Sequence, residues 1–168
     1  ILREKGTDRS MFFRGEIDKY SWVDIGSSYL PSDILAAFLY AQLEKRFDIQ
    51  DKRKKIWDYY FENLKEWALE RNFILPKIPK GCEQSFHMFY LILPSNKIRE
   101  SLIVFLKQKN IYPAFHYIPL HLSKMGNIYN YKEGDLPITE KISNRLLRLP
   151  FFNSLNMDDI DFNIFYEF

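Results

Sequence analysis

Residues 85–117 read SFHMFYLILPSNKIRESLIVFLKQKNIYPAFHY, and this stretch predicts the fold. Its first part, residues 85–93, is a short apolar run rich in β-forming residues, which is typical of a buried strand. Asn96 is a candidate N-cap, and the apolar residues after it recur at helical spacing. Residues 111–117 form a second strand, and Pro113 favours an edge or a bulge over the centre of a sheet. The order strand, helix, strand indicates an α/β domain.

Long helices are predicted before this unit. Ser32 is a candidate N-cap, followed by apolar residues at helical spacing. A second helical pattern runs from about Gln50, and it is equally consistent with a continuation of the first. Residues 7–31 lack a period and predict an ordered excursion. Residues 1–5 resemble the last turn of a helix closed by Gly6, so we expect a missing segment upstream.

The C-terminal third predicts helices against the sheet. A helix from about Thr139 is expected to carry Leu146 and Leu147, followed by an extended stretch at 149–151 and a terminal helix from near Met157. The predicted fold class is therefore α/β, with long helices followed by a small mixed sheet and flanking helices.

Composition excludes several classes of protein. The chain has 168 residues, 46% hydrophobic and 27% charged, which suits one globular domain or a core domain with an extension. Its 24 basic and 22 acidic residues are too balanced to indicate nucleic acid or an anionic membrane surface as a partner. No apolar run reaches the roughly 20 residues of a membrane span. The single cysteine, Cys82, cannot form an internal disulfide, which favours the cytoplasm.

Common catalytic motifs are absent. His116 and His121 are separated by Pro119 and cannot share a helix face, so no metal site is predicted. His87, inside an apolar run, is interpreted as a structural residue. There is no Gly-x-Ser-x-Gly elbow and no glycine-rich phosphate loop.

Two segments remain as candidate sites. The sequence GSSY at residues 26–29 precedes a helix and offers N–H and hydroxyl groups to a phosphate, although an ordinary helix-entry turn explains it better from the residues alone. The sequence HYIPLH at residues 116–121 offers two imidazoles and a phenol to a polar ligand. Aromatic packing accounts for that segment almost as well.

Three blocks in order carry a resemblance to a known family. They are GSSYL at 26–30 running into AA at 36–37 and QL at 42–43, FHYIPLH at 115–121, and LPITE at 136–140 leading to LP at 149–150. Together they resemble the DegT/DnrJ/EryC1/StrS sugar aminotransferases, which are fold-type I pyridoxal-phosphate enzymes acting on nucleotide-linked keto sugars. The resemblance extends over the whole chain.

The resemblance implies a division of the chain and a homodimer. Residues 1–48 would be the tail of the large domain with a crossing loop and helix, and residues 49–168 the small C-terminal α/β domain. Ser27 and Ser28 would reach the phosphate of pyridoxal 5'-phosphate in the neighbouring subunit. The family usually has asparagine in place of Ser28 and arginine in place of Leu30, and this departure favours a narrower subgroup.

The resemblance also implies an activity. Glutamate would donate its amino group, through pyridoxal phosphate, to C4 of a nucleotide-linked 4-keto-6-deoxy sugar, dTDP-4-keto-6-deoxyglucose. The lysine that holds the cofactor would lie upstream of Ile1. No catalytic residue is therefore assigned in this chain, which is not expected to transaminate alone.

The substrate-side candidates implied by the resemblance are Tyr29, His116, Tyr117 and His121. Arg14 is a candidate for the diphosphate through charge-assisted bonds, and it is equally consistent with an ordinary surface cation.

An alternative hypothesis is a stand-alone, non-catalytic binding or regulatory domain derived from the same fold. An exposed patch of Phe12, Phe13, Tyr20 and Trp22 would indicate a surface made for a partner, either the absent part of the enzyme or another protein.

Overall fold

The computed structural model describes residues 1–168, which form two compact units, residues 1–46 and residues 47–168. The helices of the first unit are α1 (Arg9–Phe13) and α2 (Asp33–Glu44). The predicted cap of α2 is confirmed, since the Ser32 hydroxyl accepts a hydrogen bond from the backbone N–H of Leu35 at 3.3 Å. The predicted excursion before α2 is ordered, and it contains α1.

Residues 1–5 do not form the helical turn that the sequence predicted. They lie alongside a later segment instead, where the Lys5 N–H donates to the Ser27 carbonyl at 3.1 Å and the Ser27 N–H donates to the Leu2 carbonyl at 2.9 Å. These contacts between distant residues outweigh the local helical pattern. Gly6 adopts a φ of +75°, and a Cβ there would lie 1.7 Å from the Asp24 carbonyl oxygen. Glycine is therefore required by this close approach.

The long helix α3 (Arg46–Glu70) belongs to the second unit except for its first residue, and it is separate from α2 rather than continuous with it. One face of α3 is buried, and the buried residues on it follow one another at intervals of one, three or four positions. The core that this face helps to build consists of Ile56, Trp57, Tyr60, Leu64, Trp67, Ala68, Phe73, Phe89, Leu91, Leu93, Leu102, Leu106, Leu147, Leu149 and Phe165.

A small sheet packs into this core, and it is antiparallel rather than mixed as predicted. Its strands are β1 (Tyr90–Ile92), β2 (Ala114–Phe115) and β3 (Leu146–Arg148), in the order β1-β3-β2. The helix α4 (Asn96–Gln108) connects β1 to β2, which confirms the predicted order of strand, helix and strand. Its cap is Ser95 rather than Asn96, since the Ser95 hydroxyl accepts from the Ile98 N–H. β2 lies at an edge, as Pro113 predicted.

The central strand was wrongly assigned by the sequence. Leu146 and Leu147 were predicted to continue a helix, but α6 (Pro137–Ser143) ends before them. Leu147 pairs with Leu91 on one side and with Phe115 on the other. These pairings are made with residues that lie far away in the sequence, and they outweigh the helical period.

The strand predicted at residues 85–93 is shorter, because only residues 90–92 pair and Phe86 has a φ of +45°. The predicted terminal helix is instead a 3₁₀ turn (Met157–Asp159) followed by α7 (Asn163–Tyr166). Between β2 and α6 the chain forms another 3₁₀ turn (Leu120–Leu122) and α5 (Lys124–Ile128). No helix is both long enough and apolar enough to cross a membrane.

Candidate cofactor and substrate site

Ser28 lines a cavity of about 300 Å³ within the first unit. Three cationic side chains share its wall, those of Arg3, Lys5 and Arg9, against one carboxylate, Glu4. Glu4 lies 3.9 Å from Arg9 and accepts a hydrogen bond from Ser10. A hydroxyl among three cations is a donor set that suits a phosphate. The residues around Ser28 therefore fit the phosphate group of a cofactor.

Ser27 and Tyr29 flank Ser28 on an ordered backbone. The amide of Tyr29 donates to the Arg3 carbonyl at 3.0 Å, and Ser27 is fixed by its bonds to residues 2 and 5. The Tyr29 side chain itself is 70% exposed. The backbone thus places Ser28 and Tyr29 firmly and leaves the phenol of Tyr29 accessible to a ligand.

Arg14 lies beside a carboxylate. Its Nε donates to Oε1 of Glu16 at 2.6 Å and its Nη2 donates to Oε2 at 3.0 Å, which is a bidentate pair on the surface. These hydrogen bonds raise the pKa of the Arg14 guanidinium and lower the pKa of the Glu16 carboxyl. A diphosphate would have to displace Glu16 to use the same edge of Arg14.

His116 and Tyr117 form a cluster with an arginine that the sequence did not single out. Nη1 of Arg148 lies 2.9 Å from Nδ1 of His116 and 3.4 Å from the Tyr117 hydroxyl. The two rings are also stacked at an angle, with centroids 4.3 Å apart. The pKa of His116 is lowered, first by burial, then by the positive charge of Arg148 and by the nearby imidazole of His87. This imidazole is therefore neutral at pH 7.

His121 belongs to a different cluster and is buried. Its Nε2 lies 2.9 Å from Oε1 of Glu140, in α6. The same carboxylate accepts hydrogen bonds from the backbone N–H groups of Gly134 and Leu136. The bond to His121, followed by these backbone bonds, lowers the pKa of Glu140. Glu140 thus joins the second and third sequence blocks.

A mostly apolar cavity of about 560 Å³ opens beside His121. Met125, Tyr129 and Tyr131 form part of its wall, and the Tyr131 ring meets the imidazole edge-on at 6.3 Å. Gly126 lies so close to the His121 backbone that a Cβ there would be 2.2 Å from the His121 carbonyl oxygen. The turn into α5 therefore fixes both the histidine and the cavity wall.

The predicted site residues thus form several separate groups. Ser27, Ser28 and Tyr29 belong to one ordered loop, His116 and Tyr117 to the Arg148 cluster, and His121 to the Glu140 cluster. Sequence reasoning missed the roles of Arg148 and Glu140. The only local signal for these two residues was their position in the third block. Glu140 lies in the first turn of α6, and Arg148 lies on β3. No group of three or more His, Cys, Asp or Glu side chains is arranged to hold a metal ion.

Of the four aromatic residues predicted to form an exposed patch, three do so and Trp22 does not. Phe12 contacts Phe13 and Tyr20, with ring centroids 5.7 and 5.6 Å apart, and the Arg9 guanidinium lies over Phe13 and Tyr20. Trp22 is 76% exposed and makes no ring contact with them.

Comparison with known protein families shows to which family the chain belongs. The model of the DegT/DnrJ/EryC1/StrS aminotransferase family matches residues 1–164. The chain belongs to this family. The chain is also similar to curated proteins, which it matches over most of its own length. One is the uncharacterized protein MJ1066 of Methanocaldococcus jannaschii, 30% identical over 95% of this chain and 42% of its own length. Another is GDP-perosamine synthase of Escherichia coli O157:H7, 28% identical over 91% of this chain and 41% of its own length.

Solved structures share the fold. A putative sugar aminotransferase, Spr1654 of Streptococcus pneumoniae, superposes with a TM-score of 0.81 at 22% identity, over 98% of this chain and 40% of its own length. It has been solved in its apo form and in forms with pyridoxal phosphate and pyridoxamine phosphate. The α/β fold is therefore that of part of an aminotransferase. The chain spans about two fifths of the length of the relatives it matches.

Proposed function

We propose that this chain is the C-terminal part of a pyridoxal-phosphate-dependent sugar aminotransferase that transfers an amino group from glutamate to a nucleotide-linked 4-keto-6-deoxy sugar. The observation that carries the proposal is the family match over residues 1–164, together with the phosphate-compatible cavity at Ser28. The name of the similar Escherichia coli protein, which refers to a GDP-linked amino sugar, supports a nucleotide sugar as substrate.

The narrower assignment rests on sequence blocks in the first unit. The stretches REKGTDRS at 3–10, FFRG at 12–15, DKY at 18–20 and DIGSSYL at 24–30 resemble dTDP-4-amino-4,6-dideoxygalactose transaminase. We therefore propose dTDP-4-keto-6-deoxyglucose as the acceptor and a role in polysaccharide biosynthesis.

Each group of residues has a proposed task. Pyridoxal phosphate supplies the electron sink for amino transfer when bound, and its lysine is proposed to lie outside this chain. Ser28, with Ser27 beside it, binds the cofactor phosphate of the neighbouring subunit in a homodimer. Tyr29, His116 and Tyr117 contact the substrate.

His121 and Arg14 take more specific positions in this proposal. His121 is held by Glu140 and forms part of the wall of the apolar cavity, where it excludes water from one side of the ligand. Arg14 binds the diphosphate by exchanging Glu16 for the ligand. Cys82 is exposed and unpaired, which is compatible with the cytoplasm that we propose as the location.

The experiment that tests this function uses the full-length protein with pyridoxal phosphate, glutamate and dTDP-4-keto-6-deoxyglucose. We expect catalytic release of 2-oxoglutarate and a dTDP-linked 4-amino sugar, identified by mass spectrometry. The 168-residue chain under the same conditions is the matched control and is expected to release neither product. Turnover by this chain alone, or none by the full-length protein with any nucleotide-linked keto sugar, would contradict the proposal.

The second candidate function is a stand-alone binding domain, which the exposed patch of Phe12, Phe13 and Tyr20 favours. A stand-alone binding domain would fold without further sequence. If the chain is instead part of the enzyme, this patch is covered in the full-length protein. Hydrogen exchange at residues 9–22 of the 168-residue chain and of the full-length protein separates the two cases. Protection that appears only in the full-length protein indicates part of an enzyme, and equal exchange in both indicates a stand-alone domain.

A further inference from the structure

Arg148 has no role in the function proposed above, yet it contacts two candidate substrate residues, His116 and Tyr117. It lies on β3, the central strand, between Leu147 and Leu149, which are both buried. Its Nη1 lies within hydrogen-bond distance of His116 Nδ1, at 2.9 Å, and farther from the Tyr117 hydroxyl, at 3.4 Å. The buried core thus fixes the strand from which Arg148 reaches both residues of the second block.

The chemistry of guanidinium decides the direction of these bonds. An arginine remains protonated and has donors only. Nδ1 of His116 must therefore accept, so it carries no proton, and the single proton of the neutral ring lies on Nε2. The Tyr117 oxygen likewise accepts from Arg148, which leaves its own O–H free to donate elsewhere.

The electrostatics of the cluster favour the same state. The groups that face His116 are the Arg148 cation, the neighbouring phenol of Tyr117 and the imidazole of His87, whose Nδ1 lies 2.7 Å from the Ser85 hydroxyl. None of them is a carboxylate that would stabilise an imidazolium. Burial lowers the pKa of His116, and the Arg148 cation lowers it further.

We infer that Arg148 is a positioning residue, which holds His116 as the Nε2–H tautomer and thereby makes His116 and Tyr117 a pair of hydrogen-bond donors for oxygen atoms of a ligand. The inference rests on the proposed function for the identity of that ligand, a nucleotide-linked sugar. Such a sugar offers acceptor oxygens on its diphosphate and on its ring. A neutral Nε2–H donor binds and orients these atoms and takes no proton from them.

The tautomer is measured directly by ¹⁵N NMR of the 168-residue chain with labelled histidine. We expect Nδ1 of His116 to give the shift of an unprotonated nitrogen and Nε2 that of a protonated one. Replacing the cation by an apolar side chain of similar length, Arg148→Met, should produce a mixture of tautomers and raise the pKa of His116. Arg148→Lys keeps a donor and a charge and should restore the Nε2–H form at least in part.

Controls are available in the same chain. Arg145→Met removes a nearby arginine whose Nε donates to the Leu93 carbonyl, and it should leave His116 unchanged. His121 serves as an internal reference, because its partner is Glu140 and not Arg148. A wild-type His116 protonated on Nδ1, or one unaffected by Arg148→Met, overturns the inference. If Arg148→Met does not fold, the wild-type tautomer and the Arg148→Lys spectrum decide the matter.

The ligand oxygen is identified with two probes added to the full-length protein. If dTDP alone shifts the His116 Nε2 resonance, the acceptor is a phosphate oxygen, and if only dTDP-glucose does so, it is a sugar oxygen. No shift with either probe overturns the donor role. Failure of the proposed function is a separate result, since a protein without transaminase activity would leave the tautomer of His116 unchanged.

Discussion

At the scale of single residues, the two histidines of the HYIPLH segment have opposite electrostatic partners. His116 lies beside the Arg148 cation, whereas His121 lies beside the Glu140 carboxylate. The cation disfavours protonation of the first ring, whereas the second ring is hydrogen-bonded to a carboxylate that is also held by backbone N–H groups. Five residues of sequence therefore separate an imidazole suited to donate to a ligand from one suited to fix the fold. Side chains that lie 19 to 32 residues away produce this difference.

The interactions of Glu140 lead us to expect that the free energy of unfolding depends on pH in the acid range. Its folded pKa is lowered from 4.5, so its contribution to stability is present above that value and is lost as the pH falls through the folded pKa. We expect Glu140→Gln to lower the free energy of unfolding at pH 7 and to reduce its dependence on pH below 4.5. Urea unfolding at pH 7 and at pH 4 measures both effects.

The control for this experiment is Glu133→Gln, which changes an exposed carboxylate in the same segment. It should leave both the stability and its pH dependence near those of the wild type. Equal behaviour of the two variants would show that the bond between His121 and Glu140 does not stabilise the fold.

Ser28 predicts a change in cofactor affinity. If its hydroxyl donates to the phosphate, Ser28→Ala in the full-length enzyme removes one hydrogen bond to a charged group, which is worth about 1.5–3 kcal/mol, roughly tenfold or more in the Kd of pyridoxal phosphate. Absorbance titration of the apoenzyme measures this constant. Ser21→Ala, in the same loop but outside the cavity, is the control and should bind normally.

Substitutions of Arg14 and of Glu16 are expected to change the KM for the nucleotide sugar in opposite directions. If the diphosphate replaces Glu16 on Arg14, Glu16→Gln weakens the competing pair and should lower the KM for the nucleotide sugar. Arg14→Gln should raise it, and kcat should change little in either variant. Steady-state kinetics of the full-length enzyme measure the split. An unchanged KM in both variants makes Arg14 an ordinary surface cation.

At the scale of secondary-structure elements, the sequence predicted what local patterns specify. The helices α2, α3 and α4 have apolar residues at helical spacing, and Ser32 has the expected capping bond. β3 was missed because its two leucines also fit the helical period of α6, and only pairing with β1 and β2 reveals it as a strand. The residues of the candidate site divide in the same way, into those that a local sequence pattern reveals and those that only the fold reveals. Its histidines lay in a recognisable block, whereas Arg148 came from the missed strand.

The loop that holds Ser28 depends on two glycines that touch. A Cβ on Gly26 would lie 2.1 Å from the backbone nitrogen of Gly6, so Gly26→Ala must separate residues 1–6 from residues 24–28. We expect a destabilisation of about 1–3 kcal/mol, as for other overpacked sites, confined to this loop. Hydrogen exchange should show faster exchange at the amides of Lys5 and Ser27.

Gly15→Asn serves as the control for the loop. Gly15 also has a positive φ, of +73°, but no atom lies within 4 Å of the position of a Cβ, and asparagine tolerates this backbone region. Its exchange pattern should match that of the wild type. If the Gly26→Ala variant also exchanged at the wild-type rate, the contact between Gly6 and Gly26 would not stabilise the loop.

At the scale of the whole molecule, the first unit has no apolar core of its own. None of its hydrophobic side chains is buried, and α2 exposes Ile34, Phe38 and Leu39 by more than half. An apolar helix face of this kind is typical of an interface. The proposed homodimer supplies a partner surface for it.

The dimer is tested with Phe38→Asp in the full-length protein. A charge in an apolar interface should convert dimer to monomer, measured by analytical ultracentrifugation. Leu69→Asp changes an equally exposed leucine on α3 and is the control, expected to remain dimeric. If Phe38→Asp unfolds the protein without giving a folded monomer, the helix is covered by the same chain and not by a second copy.

The strand order β1-β3-β2 also has a consequence during synthesis. Both outer strands leave the ribosome before their common partner, since Leu146 follows Phe115 by 31 positions. At about 5–20 residues per second, the nascent chain carries two unpaired strands for roughly two to six seconds. Open strand edges are sites where neighbouring chains associate. Slow translation between these positions is therefore expected to reduce the yield of native protein and to increase the demand for chaperones.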